Sequence, residues 1–289
     1  VEGAYFYKAP LKPLTTFGIG GPAEVLFTPK NIQDLARFWQ QRPLNVPITL
    51  LGEGSNVLIR DGGIPGITVH IGRGCDNVNI KNETLYCEAG AGTGKVARAA
   101  RNAGLAGAAF LCGIPGSMGG ALVMNAGCYG EELCQRLNFV DVIDADGQQH
   151  RKNPVFFEFS YRKSVLPPNW IFAGAEMELE ASDKETIRAR MREINKKRQK
   201  SQPLKWPNAG SWFKNPEGFK AWELIDKAGC RGLRIGDAQV SEKHSNFFVN
   251  LGAATASDME DLAQMVQQKV VETTGVALQN EVRLLGDRL

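Results

Sequence analysis

The 289-residue chain has no surplus of one charge: 34 basic residues meet 31 acidic ones, leaving +3. A balance so near neutral argues against a protein that holds nucleic acid or a membrane surface by charge. Histidine is scarce, with only His70, His150 and His244, and no two of the six cysteines stand in a CxxC spacing. A zinc or iron–sulfur site therefore has too few ligands, so no metal is expected. The thiols read as buried or free in a reducing compartment. Long unbroken apolar runs are also missing. The charge-free stretch between Arg101 and Glu131 contains GLAGAAFLCGIPGSMGGALVMNAG, with seven glycines and Pro115. A membrane helix needs about 20 apolar residues without repeated breakers, so tight turns and short helices are expected here. The opening VEGAYFYKAP has no basic region followed by an apolar core. No signal peptide is expected, and the chain is read as cytoplasmic.

What the chain has in abundance is glycine, unevenly placed. Of 32 glycines, 22 fall within residues 1–130, although that stretch is less than half the chain. They follow no collagen-like period, and 43% of the chain is apolar, which a flexible linker would not be. The front half is therefore folded and uses glycine for local backbone reasons. At roughly 150 residues per domain, the length predicts two domains.

The front half alternates β-rich runs with glycine turns. PITLLGEGSNVLI reads as strand, loop and strand; GITVHIGRG, TLYCEAGAG and FAGAEMELE read as further strands. Thr93 is the expected N-cap of a helix through Arg101, and NFVDVIDADGQQHR reads as a strand with an Asp-Gly turn. The pattern is α+β rather than a regular βαβ series. A change follows at Ser182, where Ser182-Asp183-Lys184-Glu185 fits a capping box opening a basic helix to about Lys200. The remainder predicts a helix over 221–228, a strand near NFFVN, a long helix over 257–272 with Ser257 as N-cap, and a terminal strand EVRLLG. The expected division is 1–182, with an internal lobe boundary near 76, and 183–289.

Two glycine loops carry chemical interest. GEGSN (52–56) follows an apolar strand, but it lacks the third glycine and the following helix of a Rossmann fingerprint. AGAGTGKV resembles a Walker loop, yet Ala89 stands at its first glycine and Val96 where Ser or Thr must hold magnesium. Either loop alone fits an ordinary tight turn. Together, GEGSN and GIPGSMGG (113–120) offer two backbone cradles, which suits a dinucleotide with a pyrophosphate and a ring to seat. Ser55, Asn56, Ser117 and Asn125 add hydrogen-bonding groups.

Seven segments then occur in an order that resembles one family: TTFGIGGPA, LGEGSNVLI, GIPGSMGGALVMNAGCYG, FSYRKS, NAGSWFKNP, GDAQVSEKHSNFFVN and EVRLLG. Over nearly the whole chain they resemble the UDP-N-acetylenolpyruvoylglucosamine reductases, flavoenzymes of peptidoglycan precursor synthesis. The resemblance implies a two-lobed FAD-binding domain of the vanillyl-alcohol-oxidase type and a smaller carboxy-terminal α+β substrate-binding domain. It implies FAD as cofactor, NADPH as co-substrate and a UDP-sugar enolpyruvyl ether as substrate. Gly52, Glu53, Gly54, Ser55, Asn56, Gly116, Ser117, Gly119, Gly120 and Asn125 match its FAD-binding segments, and Arg283 is assigned to the flavin.

The same resemblance implies three catalytic residues. Arg162 matches the cation that faces the substrate carboxylate, where an enolate develops after hydride addition. Ser211 matches the proton donor to the α-carbon. Glu281 matches the acid that steadies the enolate, a role that calls for a raised pKa. Lys214 and Asn215 match the nucleotide-contacting Lys-Asn-Pro motif, and Lys200 is read as a cation for the diphosphate. The sequence departs from the family pattern at Gln279-Asn280, where Glu-Pro is common, and at Cys128, where alanine is usual. It resembles the shorter type that lacks a tyrosine-bearing loop. Two other readings stand beside this one: a flavin oxidase of the same fold, and a nucleic-acid module using the basic helix.

Overall fold

A computed structural model describes all residues 1–289. The chain divides into two compact units that are not consecutive stretches. Unit 1 comprises Val1–Phe6, Phe27–Glu53 and Val69–Lys197; unit 2 comprises Tyr7–Leu26, Gly54–Thr68 and Arg198–Leu289. The expected boundary near 183 falls inside unit 1, just before a helix within which the chain enters unit 2.

Unit 1 is built on a five-stranded antiparallel sheet. Its spatial order is Gln149–Lys152, Leu137–Ile143, Ile171–Glu178, Thr84–Glu88 and Val78–Lys81. The central strand, IFAGAEME, is buried along most of its length and is correspondingly apolar. Helix α1 (Ile32–Gln41) is N-capped by Asn31, whose side chain accepts the Asp34 amide. Helices α2 (Thr93–Asn102) and α3 (Met118–Val123) supply Val96, Ala97, Ala100, Met118 and Leu122 to the same core as Leu85, Val140, Ala175 and Met177. The 101–131 stretch forms short helices and turns, and no helix of the chain is long and apolar enough to cross a membrane. All six cysteines are free thiols. Burial pushes Cys75 and Cys87 up to about 12, so both stay protonated at neutral pH.

Helix α4 (Lys184–Ser201) begins one residue later than its sequence signal suggests. The carboxylate that accepts the Thr186 amide is that of Asp183, 2.8 Å away, while the Ser182 amide bonds to the Gly104 carbonyl. The cap is therefore acidic, which also suits the positive end of the helix dipole. In α2 the N-cap is Gly92, and Thr93 lies inside the first turn with its hydroxyl turned back to the carbonyls of Ile114 and Gly116.

Unit 2 holds a three-stranded antiparallel sheet: Arg234–Ile235, Ala238–Val240 and Phe248–Asn250. Single bridges, Ser211 with Phe247 and Phe213 with Asn280, continue it by two further segments. Helices α5 (Ala221–Lys227) and α6 (Ala256–Thr274) close a core of Trp212, Phe213, Phe248, Met259, Leu262 and Val266. The N-cap of helix α6 lies two residues before the expected Ser257: it is Thr255, in a reciprocal capping box with Asp258. Ser257 instead bonds through its amide and hydroxyl to Asp61, which also accepts the Ala256 amide. Val57–Ile59 and Arg283–Leu285 pair in parallel, bringing residues 226 positions apart into register. Behind them Glu260, largely buried, receives Arg60 at 2.8 Å and Arg288 at 2.9 Å.

Candidate active site

In unit 1 three loops interlock into a cradle. The strand Ile48–Leu51 ends in Gly52 and Glu53, and a Cβ on Gly52 would stand 2.4 Å from the Ser117 hydroxyl. Residues Gly92 and Ser117 form an antiparallel bridge, and the Thr93 amide donates to the Gly116 carbonyl at 2.9 Å. The Met118 and Gly119 amides donate to the carbonyls of Ala91 and Ala89, at 2.8 and 2.7 Å. A side chain on Gly119 would press on Ala89 at 3.1 Å, so glycine is needed for loop to approach loop. Ser117, only 3% exposed, N-caps α3 by accepting the Gly120 amide. Burial raises the Glu53 carboxyl above its ordinary value, opposed by a bond from the Gly116 amide.

These amides are spent on one another's loops, so main chain packs directly on main chain near the opening of α2, with little side-chain bulk between. The segment 89–94, excluded as a Walker loop, is thus the third wall of the cradle. Its Gly-Ala alternation was the signal: it fails the phosphate-loop pattern but still marks close backbone approach. Gly52, Glu53, Gly116, Ser117, Gly119 and Gly120 all belong to this cluster.

Arg162, also in unit 1, sits on the tight turn closed by reciprocal bonds between Ser160 and Lys163. Its backbone is left-handed, with φ of 54°, a conformation uncommon outside glycine. The guanidinium reaches the Gly127 carbonyl at 3.4 Å and lies over the Tyr161 ring. Asn125, fully buried, spends its side chain on protein groups.

Unit 2 gathers the other sequence-predicted residues through main-chain bonds. The Glu281 amide donates to the Trp212 carbonyl at 2.7 Å, directly after Ser211. Asn56 ties into the same corner: its side-chain amide donates to the Glu281 carbonyl at 3.2 Å, and its carbonyl accepts the Arg283 amide at 3.1 Å. Glu281 precedes the terminal strand, which starts at Arg283, so the expected strand is shorter at its front. Gly54 is left-handed at φ 59°, and a Cβ there would fall 2.0 Å from the Leu14 carbonyl. The Thr16 amide bonds to the Gly54 carbonyl, so TTFGIGGPA braces GEGSN from below, with Ser55 between Gly54 and Asn56. The Lys214 amide bonds to Gln279, and the Asn215 side chain accepts the first amide of α5, Ala221, at 3.0 Å. Lys200 lies exposed in the last turn of α4. No group of three or more His, Cys, Asp or Glu is arranged to hold a metal ion.

Comparison with known proteins places the chain among named relatives. Residues 23–153 match the FAD binding domain, and residues 202–285 match the carboxy-terminal domain of UDP-N-acetylenolpyruvoylglucosamine reductase. Proteins of that name from Rhodospirillum rubrum and Parvibaculum lavamentivorans are 46% and 47% identical, over 99% and 100% of this chain and 91% and 93% of theirs. The crystal structure of the Thermus caldophilus enzyme superposes with a TM-score of 0.85 at 36% identity, covering 99% of each chain. With both domain models matched in order and full-length relatives at this identity, the chain belongs to the UDP-N-acetylenolpyruvoylglucosamine reductase family.

Proposed function

We propose that the chain is an FAD-dependent oxidoreductase that uses NADPH to reduce UDP-N-acetylglucosamine enolpyruvate to UDP-N-acetylmuramate, acting in the cytoplasm in peptidoglycan precursor synthesis. The observation that carries the reading is the corner in unit 2 where Asn56, Trp212 and Glu281 are joined by hydrogen bonds, with Ser211 adjoining. Gly52, Glu53, Ser117 and Gly119 would hold FAD, which would supply the hydride chemistry between NADPH and the enolpyruvyl β-carbon. Residues 1–182 serve cofactor binding and 183–289 substrate binding, with the segment 281–286 contributing to catalysis.

Hydride addition breaks the carbon–carbon double bond and leaves the electron pair on the α-carbon and its carboxylate. Arg162 meets that carboxylate with a planar pair of donors, and its attraction grows as charge develops, which favours the transition state over the ground state. The Ser211 hydroxyl gives its proton to the α-carbon and regains one from water. An alcohol is a weak acid, but the enolate is a strong base held beside it, so geometry matters more than acidity. Glu281 steadies the developing enolate. Lys200, Lys214 and Asn215 recognise the nucleotide diphosphate, and Arg283 the flavin.

Anaerobic titration tests the reading. Purified protein should be yellow, bleach with NADPH and recover its colour within a turnover on adding the enolpyruvyl substrate. Recovery that is equally fast with oxygen alone would make it an oxidase. A colourless protein that binds nucleic acid would overturn both flavin readings.

A further inference from the structure

We infer that Asn125 is a positioning residue for Arg162, locking the turn that carries the guanidinium to the hairpin on which it rests; this builds on the reading of Arg162 as the carboxylate-facing cation. Four observations support it. Asn125 is 0% exposed, so each polar atom of its side chain needs a partner within the protein. Its Nδ2 donates to the Glu132 carboxylate at 2.9 Å and to the Ser160 carbonyl at 3.2 Å, while Oδ1 accepts the Cys134 amide at 3.1 Å. Ser160 is the first residue of the Arg162 turn, and Glu132 pairs with Gly127, whose carbonyl receives the Arg162 guanidinium. The backbone of Asn125 itself is left-handed, at φ 39°, a conformation that asparagine tolerates better than most residues and that orients its side chain into these three bonds.

The arrangement is a brace between two turns. Gly127–Cys128 and Glu131–Glu132 form a minimal hairpin through Tyr129 and Gly130, both at positive φ, the signature of a twisted two-residue turn. The Arg162 turn is closed by only two backbone bonds. One amide group in their shared interior fixes the spacing between the Gly127 carbonyl and the Arg162 backbone, and so the direction in which the guanidinium projects. The sequence assigned Asn125 to the cofactor, but its side-chain amide is fully engaged by protein groups. Its contribution to the reaction therefore passes through Arg162.

The test uses stopped-flow on the FAD-loaded enzyme, with both half-reactions followed separately. Asn125→Gly deletes the side chain while relieving the left-handed backbone, which makes it a gentler probe than alanine. It should slow reoxidation by the enolpyruvyl substrate about 10- to 100-fold, the scale of a 1 Å misplacement, with reduction by NADPH changed less than about twofold. Asn125→Asp keeps the acceptor for the Cys134 amide but loses both donors, and should slow the same half-reaction. Combined with Arg162→Lys, Asn125→Gly should add almost nothing to the loss from the lysine alone, as residues acting through one group are not additive. Equal loss in both half-reactions, or a full multiplicative loss in the double variant, would make Asn125 merely structural and overturn the inference. If Arg162→Lys itself leaves substrate reoxidation unchanged, the reading of Arg162 fails instead.

Discussion

The two units do different work with different materials. In unit 1 the cradle of residues 52–53, 89–94 and 113–120 is made of main chain, and glycine is used where two backbones must approach. In unit 2 the corner that holds Asn56 and the residues proposed for the chemistry, Ser211 and Glu281, is carried on segments bonded to one another through the backbone. The lesson is that a cofactor common to many enzymes needs donors and room, whereas a particular reaction needs particular functional groups. Damage to the first should weaken flavin binding; damage to the second should leave the flavin in place and stop its reoxidation.

The largest test of that contrast is Ser211→Ala. Reduction of the flavin by NADPH should be little changed, while reoxidation by substrate slows by about a thousandfold, in the range of a lost general acid. Loss of bound flavin in this variant would erase the distinction between the units.

Glu260→Gln comes next and probes the frame of unit 2 rather than its chemistry. Burial alone would raise the Glu260 carboxyl, but the bonds from Arg60 and Arg288 outweigh it and hold the group below its ordinary value. A depressed carboxyl contributes stability that is present above its unfolded pKa and lost as pH falls through the folded one. The variant should therefore cost about 2 kcal/mol at pH 7, less than a fully buried pair because Arg60 is partly exposed. The gap between variant and parent should close below about pH 4, as read by denaturant melts across pH. A gap independent of pH would mean that packing, not charge, holds the site.

The smallest expected effect sharpens the unit 1 side. In Gly52→Ala the new methyl meets the Ser117 hydroxyl, which must rotate away. FAD should bind about tenfold more weakly, near 1.4 kcal/mol, with the rates of both half-reactions retained at saturating flavin. Gly120→Ala is the control, since its Cβ would lie an ordinary 3.6 Å from the same oxygen. Equal weakening in both would show that chain flexibility, not contact, is what glycine supplies there.

Much of this was legible in residue order. The strands Ile171–Glu178 and Leu137–Ile143 and the helices α4 and α6 follow from apolar periodicity and capping signals. Their exact starts were not, because Ser182, Asp183, Thr255 and Ser257 are all good caps, and only the folded neighbours decide among them. Asp61 occupies Ser257 from nearly 200 residues away. The role of 89–94 was hidden for a similar reason: it matches no motif, and its value lies in what packs on it.

The sequence by itself determined the class of elements and the family, because those depend on local pattern and residue chemistry. Tertiary structure alone decided how the chain is shared between two interleaved units, and that Arg283–Leu285 pairs with Val57–Ile59. It also decided that the Asn125 side chain bonds to Glu132, Ser160 and Cys134. The physical reason is common to all three: backbone pairing and burial are satisfied by whatever segment arrives, and which one arrives is settled only when the whole chain has folded.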